Sequence, residues 1–262
     1  MSERLENSES TRHTGASDVQ LEFRNRLWDK FMSAPLSSPE LERSLGLFLR
    51  GSLLARLLAI DEAYRMIVQL PGQVFEFGCW RGQTSVVCEN LRAIHEPFNK
   101  LRRIVAFDTF DGYAGTSSRD RVSESFHEGS YAVGGEGYAE YLRELLEIHE
   151  GNNAVPHIRN VHRVVVGNAM ATVPAYLEAH PETMIALAFF DLDLYEPTKA
   201  VLRDLLDSRA LVPGAVLAFF QLTRDELLPG DAIAFKEAFA GRRYTMQRSK
   251  FYSSLTFVTL HE

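Results

Sequence analysis

The sequence predicts an α/β fold, a mostly parallel β-sheet with helices on both faces. Short apolar runs alternate with helix-length segments from Val74 onward, and runs that are apolar throughout suit strands buried on both sides. Pro71–Gly72 and Pro213–Gly214 mark breaks just before two of those runs. The last two strand-like segments stand only a short turn apart, which an antiparallel pair can bridge and a parallel pair cannot.

Taken in order, Val19–Met32 and Pro39–Leu49 read as short helices joined by the Pro/Ser stretch Ala34–Ser38, and Ser52–Gln69 as a longer one. Leu53, Leu57, Ile60 and Met66, flanked by Leu54, Leu58 and Ile67, give that helix an apolar stripe. Strands are expected at Val74–Phe77, Ile104–Phe107, Val161–Val166, Ile185–Phe190 and Ala215–Phe220. The helices between them are expected at Thr84–Ile94, Tyr138–His149, Met170–Ala179 and Pro197–Asp207, with proline in the first turn of the last. A polar stretch, Asp111–Gly137, precedes the second of these, and a helix near Ala232–Phe239 precedes the closing pair Tyr244–Arg248 and Leu255–Leu260. The expected organisation is a disordered tail over residues 1–17, rich in Ser, Glu and Arg, a helical extension over 18–70, and the α/β domain over 71–262.

Composition excludes several classes of partner. A formal charge of −7 disfavours nucleic acid. No apolar run approaches the roughly 20 residues of a membrane span, and no signal-peptide centre opens the chain. Cys79 and Cys88 are too few for a zinc site or disulfide framework, so a reducing, cytoplasmic setting is expected.

Chemistry concentrates after the first strand, in Val74-Phe-Glu-Phe-Gly-Cys-Trp-Arg-Gly-Gln-Thr-Ser85. Gly78 leaves the strand and Gly82 admits a helix start whose free N–H groups face a ligand. Phosphate-binding versions of the turn use Gly-x-Gly-x-x-Gly; here two glycines are separated by Cys79-Trp80-Arg81, and an acid, Glu76, sits inside the strand end. A carboxylate there repels pyrophosphate and suits a ligand carrying ammonium and sulfonium charge, which favours S-adenosylmethionine over a dinucleotide. Asp108 closes the second strand about 30 residues after Gly78, where an acid can accept both ribose hydroxyls.

Several pieces together resemble the macrocin O-methyltransferase (TylF/MycF-like) family of S-adenosylmethionine-dependent sugar O-methyltransferases, nearest its deoxyhexose members. They are Glu76-Phe-Gly-Cys-Trp-Arg-Gly82, Phe107-Asp-Thr-Phe-Asp-Gly112, Gly167-Asn-Ala169, Phe190-Asp-Leu-Asp-Leu-Tyr-Glu-Pro-Thr198, Leu211-Val-Pro-Gly214 and Pro229-Gly230. The resemblance runs from about Phe48 to the C-terminus. It implies a Rossmann-like class I methyltransferase with a seven-stranded, mostly parallel sheet and a C-terminal antiparallel hairpin, methylating a sugar hydroxyl in natural-product or antibiotic biosynthesis.

The resemblance also implies roles. Glu76, Phe77, Gly78, Trp80, Arg81, Gly82, Thr84 and Ser85 would hold the amino-acid end of the cofactor. Asp108 would take the ribose, Thr109 and Phe110 would flank the adenosine, and Gly167 and Asn168 would lie at the adenine. Asp191 would stand where methyl group and acceptor meet, touching the cofactor and serving as base or as a metal ligand; Tyr195 would pack at the start of its helix. Metal-using relatives carry an acidic pair after the fifth strand, where this chain has Phe220 and Gln221, so a Mg²⁺ site would rest on Asp191 and the Gln221 amide, with Asp193 as a further candidate ligand. Asp225 and Glu226 would join only after a register shift.

A sugar hydroxyl needs a metal or a base to help remove its proton, and His127, in the polar stretch, is the candidate base beside Asp191. The other histidines have surface or element-end contexts. Two alternatives stay open: a non-sugar small-molecule acceptor, or a catalytically weak subunit that keeps the cofactor site. A homo-oligomer formed through the N-terminal helices is expected.

Overall fold

A computed structural model describes residues 17–99, 101–121, 127–153, 161–223 and 229–261. The chain divides into two compact units, Met1–Ala55 and Arg56–Glu262. The expected N-terminal tail lies outside the described residues but for Ser17.

In the first unit, α1 spans Asp18–Met32 and starts at a capping box in which Ser17 and Gln20 each bond the other's backbone N–H. The expected helix over Pro39–Leu49 is instead two pieces, α2 at Ser38–Arg43 and a 3₁₀ turn at Leu45–Phe48. Ser44, whose N–H bonds Leu41, caps the first piece and separates it from the second. Phe31 of α1 packs edge-on against Phe48, with ring centroids 5.1 Å apart.

Helix α3, Gly51–Arg65, crosses the boundary between the units. Its buried stripe is Ala59, Ile60, Ala63 and Tyr64, continued by Ile67; Ile60 and Ile67 belong to the expected stripe, whereas Leu54 and Leu58 are exposed. From there the elements run β1 (Gln73–Phe77), α4 (Gln83–His95), β2 (Ile104–Asp108), α5 (Gly135–Asn152), β3 (Arg163–Val166), α6 (Ala169–Ala179), β4 (Ile185–Phe190) and α7 (Tyr195–Ser208). β5 (Leu211–Phe219), α8 (Pro229–Ala238), β6 (Tyr244–Arg248) and β7 (Thr256–Leu260) follow. The sheet order is β3-β2-β1-β4-β5-β7-β6, with β1 to β5 parallel and β7 antiparallel to both of its neighbours. This is the seven-stranded class I methyltransferase sheet that the sequence predicts.

Pro213–Gly214 lies inside β5 rather than before it, because Leu211 already pairs with Ile185 before a register irregularity. A proline is tolerated at such a break in the ladder. α5 begins at Gly135, three residues before the sequence suggests; Gly134 and Gly135 both take positive φ at that start, which only glycine adopts freely.

Side chains alternate across the sheet. Phe75, Phe77, Phe190 and Phe219 face a core built with α6, α7 and α8. Val74, Phe189 and Phe220 face the other side, with Ile60 and Tyr64 of α3 and Cys88 of α4. A buried polar girdle ties that second side together: Arg102 donates to Glu96 and to the carbonyls of Ile67, Leu70 and Gly72, satisfying the chain end after α3. No helix among the described residues is long and apolar enough to cross a membrane.

Candidate active site

Pairing register alone aligns five strand ends along the carboxyl edge. Phe77 stands opposite Phe107 on one side and Phe190 on the other, Asp108 opposite Val166, and Phe190 opposite Phe219. The next residues, Gly167, Asp108, Gly78, Asp191 and Phe220, therefore follow one another across the edge. Backbone bonds continue the ladder one step: Gly167 N–H to Asp108 O (2.9 Å), Asp191 N–H to Phe77 O (3.0 Å) and Phe220 N–H to Phe190 O (3.0 Å). The chain leaves β1 toward β2 on one side and returns as β4 on the other, so Gly78 and Asp191 flank the crevice where ligands enter such sheets.

Gly78 has φ +77°, and a Cβ there would come within 2.3 Å of the Asp191 carbonyl oxygen. Only glycine lets the two strand ends approach this closely. Two residues earlier, the buried Glu76 accepts a hydrogen bond from Ser85 in the first turn of α4. Burial pushes the Glu76 carboxyl up to about 7. Asp108 braces the turn from the other side: Oδ2 accepts the Trp80 N–H at 2.6 Å and Oδ1 the Phe110 N–H at 2.7 Å. Burial raises its pKa against those two bonds.

Around this edge four non-glycine residues hold left-handed backbones: Trp80 (φ +49°), Phe110 (+58°), Tyr131 (+69°) and Asp193 (+64°). Such conformations cost about 1–3 kcal/mol each and persist where surrounding contacts over-determine them, as at ligand sites. Trp80 projects partly exposed, edge-on to Tyr131, with the Arg81 guanidinium 5.1 Å from its ring centroid. Phe110 is buried, and its carbonyl accepts the N–H groups of Val133 and Gly135. Thr109 donates to the Gly112 carbonyl, and Asn168 caps α6 through the Met170 N–H.

The edge thus gathers Glu76, Gly78, Trp80, Gly82, Ser85, Asp108, Phe110, Gly167 and Asp191 at or beside adjoining strand ends. Phe77 differs, because its ring is fully buried against Phe107 and Phe190 and only its backbone reaches the edge. A buried carboxylate at β1, a glycine crevice and an oriented acid at β2 suit a ligand with a cationic amino-acid end and a ribose, so the residues present fit S-adenosylmethionine.

Asp191 has a partner that the sequence reading missed. Arg56 of α3 donates from Nη2 to Asp191 Oδ2 at 3.1 Å, while its Cζ lies 3.9 Å from the Phe220 ring centroid. Both charged side chains keep about a quarter of their surface open, 25% for Arg56 and 22% for Asp191. Burial opposes the guanidinium charge, but Asp191 holds its pKa above the ordinary arginine value. A signal was present: Arg56, Ile60, Ala63 and Ile67 share one helix stripe, and an arginine on an otherwise apolar buried stripe requires an acid at its end.

These residues do not fit the Mg²⁺ site expected at Asp191 and Gln221. One Asp191 oxygen faces a guanidinium, Phe220 cannot ligate, and Gln221 is already engaged within the chain. Asp193 accepts from the Tyr113 hydroxyl at 2.5 Å. No group of three or more acidic, histidine or cysteine side chains suited to a metal occurs among the described residues, and Asp225 and Glu226 lie outside them.

The structure does not bring His127 to Asp191. Its ring is exposed and bonds the neighbouring Glu128 carbonyl at 2.8 Å. The polar stretch instead contributes Tyr113, whose hydroxyl burial and the Asp193 carboxylate hold far above its usual pKa, and Asp120. Asp120 Oδ1 accepts the Tyr195 N–H at 2.7 Å, capping α7, whose own N-cap residue is Leu194. Tyr195 packs at that helix start, as expected, and donates to Glu237.

No protein-family model and no curated protein sequence matches the chain. Solved structures do. A calicheamicin methyltransferase, CalS11, superposes with a TM-score of 0.87 at 36% identity, over 94% of this chain and 95% of that one. The apo structure of CalS11, described as a TDP-rhamnose 3′-O-methyltransferase of calicheamicin biosynthesis, gives 0.80 at 33% identity over 94% and 96%. The O-methyltransferase NovP gives 0.57 at 17% identity over 79% and 80%, a likeness of fold.

Proposed function

The chain belongs to the sugar O-methyltransferase family that includes CalS11, and from that premise we propose that it methylates a hydroxyl of a deoxyhexose in natural-product biosynthesis, with S-adenosylmethionine as donor. The observation that carries the reading is the row of strand ends, with Glu76 and Asp108 on either side of Gly78 and Asp191 next to it. S-adenosylmethionine supplies an electrophilic methyl carbon whose bond to sulfur breaks as the acceptor oxygen forms its own bond to carbon. Glu76 faces the cationic amino-acid end, Asp108 accepts the ribose hydroxyls, and Trp80, Arg81, Thr84 and Ser85 form the turn around them. Thr109, Phe110, Gly167 and Asn168 line the adenosine side.

Asp191 is the base that receives the acceptor's hydroxyl proton. Its Oδ2 is fixed by Arg56, and Oδ1 has no protein hydrogen bond among the described residues, which leaves it for the acceptor. His127, exposed and bonded to its own loop, is the weaker candidate. Free, buried Cys79 and Cys88 agree with a cytoplasmic setting. The proposed partner is a small sugar nucleotide or glycoside, and the proposed assembly is a homo-oligomer.

Calorimetry with S-adenosylhomocysteine tests the cofactor site. One molecule should bind per chain, and Asp108→Ala should weaken binding by about 30-fold or more, since it removes a charged acceptor and frees two turn N–H groups. Equal affinity in the variant would rule Asp108 out of the site.

A further inference from the structure

We propose that Arg56 holds, at the acceptor end of the site, the place and charge that a divalent cation would need, so that methyl transfer here proceeds without a metal. The inference rests on the methyltransferase reading above and concerns how its acceptor end works.

Three observations converge on the guanidinium. It sits on the Asp191 carboxylate at the end of β4. Its Cζ lies 3.9 Å from the centroid of Phe220, which the ladder bond to Phe190 fixes as the next strand end beside Asp191. An aromatic face suits a weakly hydrated, planar cation and offers nothing to an ion that needs six oxygen ligands. Finally, α3 delivers Arg56 from its buried stripe, with Ile60 and Ala63 packed into the core below, so the helix cannot readily withdraw it. A metal at Asp191 would have to evict a cation whose partner is Asp191, leaving a part-buried guanidinium unpaired beside a second positive charge.

In this arrangement Arg56 is a positioning residue for Asp191. It holds Oδ2, turns Oδ1 toward the acceptor hydroxyl, and keeps positive charge beside the oxygen as its proton leaves for Asp191. Its planar face, not only its charge, matters: lysine would keep the ion pair and lose most of the stacking on Phe220.

The first test needs no acceptor. Protein saturated with S-adenosylhomocysteine is titrated with Mn²⁺ and followed by electron paramagnetic resonance. The proposal expects the spectrum of free aqueous Mn²⁺ throughout. One Mn²⁺ bound per chain, and lost in Asp191→Asn, would overturn it. The second test uses labelled S-adenosylmethionine with TDP-rhamnose. Chelator should leave wild-type turnover unchanged. Arg56→Ala should lower kcat by about 100-fold with KM moving much less, Arg56→Lys should keep part of kcat, and added guanidinium chloride should restore Arg56→Ala where Mg²⁺ does not. Rescue by Mg²⁺, or an unchanged kcat in Arg56→Ala, would sink the proposal. Failure to bind S-adenosylhomocysteine would instead count against the methyltransferase reading itself.

Discussion

Glu76 carries its charge question on its surroundings. Enclosed between β1 and α4, it titrates near 7, so at lower pH the native apo protein holds it neutral. An ammonium or sulfonium group beside it favours the carboxylate and expels that proton. Cofactor binding therefore releases a proton below about pH 7, and affinity must fall as pH falls through that value, by up to about tenfold per pH unit. Calorimetry with S-adenosylmethionine across pH 5.5–8.5 should show this slope in the wild type and a flat, weaker profile in Glu76→Gln. At this scale the sequence placed Glu76, Gly78 and Asp108 at strand ends, because their neighbours define those strands. It did not show Arg56, whose role depends on a residue 135 positions away.

Among elements, α7 shows how the site depends on a distant loop. Leu194 cannot cap the helix, and the loop between β2 and α5 supplies the cap through Asp120, itself held by the Ser117 N–H and hydroxyl. The helix start that follows the Asp191–Asp193 segment is thus tied to that loop. Asp120→Ala should cost about 1 kcal/mol in denaturant unfolding with an unchanged slope, while Asp120→Asn should recover most of it. Strands were legible in the sequence because apolar runs such as Ile185–Phe190 have no other use in a chain this polar. The loop's pairings were not: Asp111–Gly137 reads as a polar stretch carrying a candidate base, yet it is Tyr113 that reaches Asp193 and Asp120 that caps α7, pairings set by tertiary contact rather than local propensity. The α3 stripe was legible only in part, at Ile60 and Ile67, since leucines draw attention away from the smaller Ala59 and Ala63 that the core accommodates.

The whole molecule carries opposing carboxyl groups, and their balance sets its pH stability. Asp231, buried and bonded to Thr198, is raised by burial to about 7, as is Glu76. Each binds a proton in the native state that the unfolded chain gives up near pH 4, so stability falls as pH rises from about 4 to 7 and levels off above it. Glu89 acts in the opposite sense. Burial alone would raise it, but bonds from Arg92, His162 and Asn153 bring it down to about 2, so its contribution is lost as pH falls from the ordinary carboxylate range toward 2. The apo protein should be most stable near pH 4, and Asp231→Asn should flatten the decline toward pH 7 by about 2–4 kcal/mol. Thermal unfolding across pH 3–8 reads both limbs.

This sheet edge is proposed to move a methyl group from S-adenosylmethionine to a sugar oxygen. The most direct measurement offers the purified protein ¹³C-methyl-labelled S-adenosylmethionine with TDP-rhamnose, other TDP-deoxyhexoses, deoxyhexose glycosides and simple phenols, and follows the methyl carbon by nuclear magnetic resonance. A new O-methyl signal should appear on a deoxyhexose and be lost in Asp191→Asn. Label appearing only on the phenols, or on no acceptor although the protein binds S-adenosylhomocysteine, would contradict it.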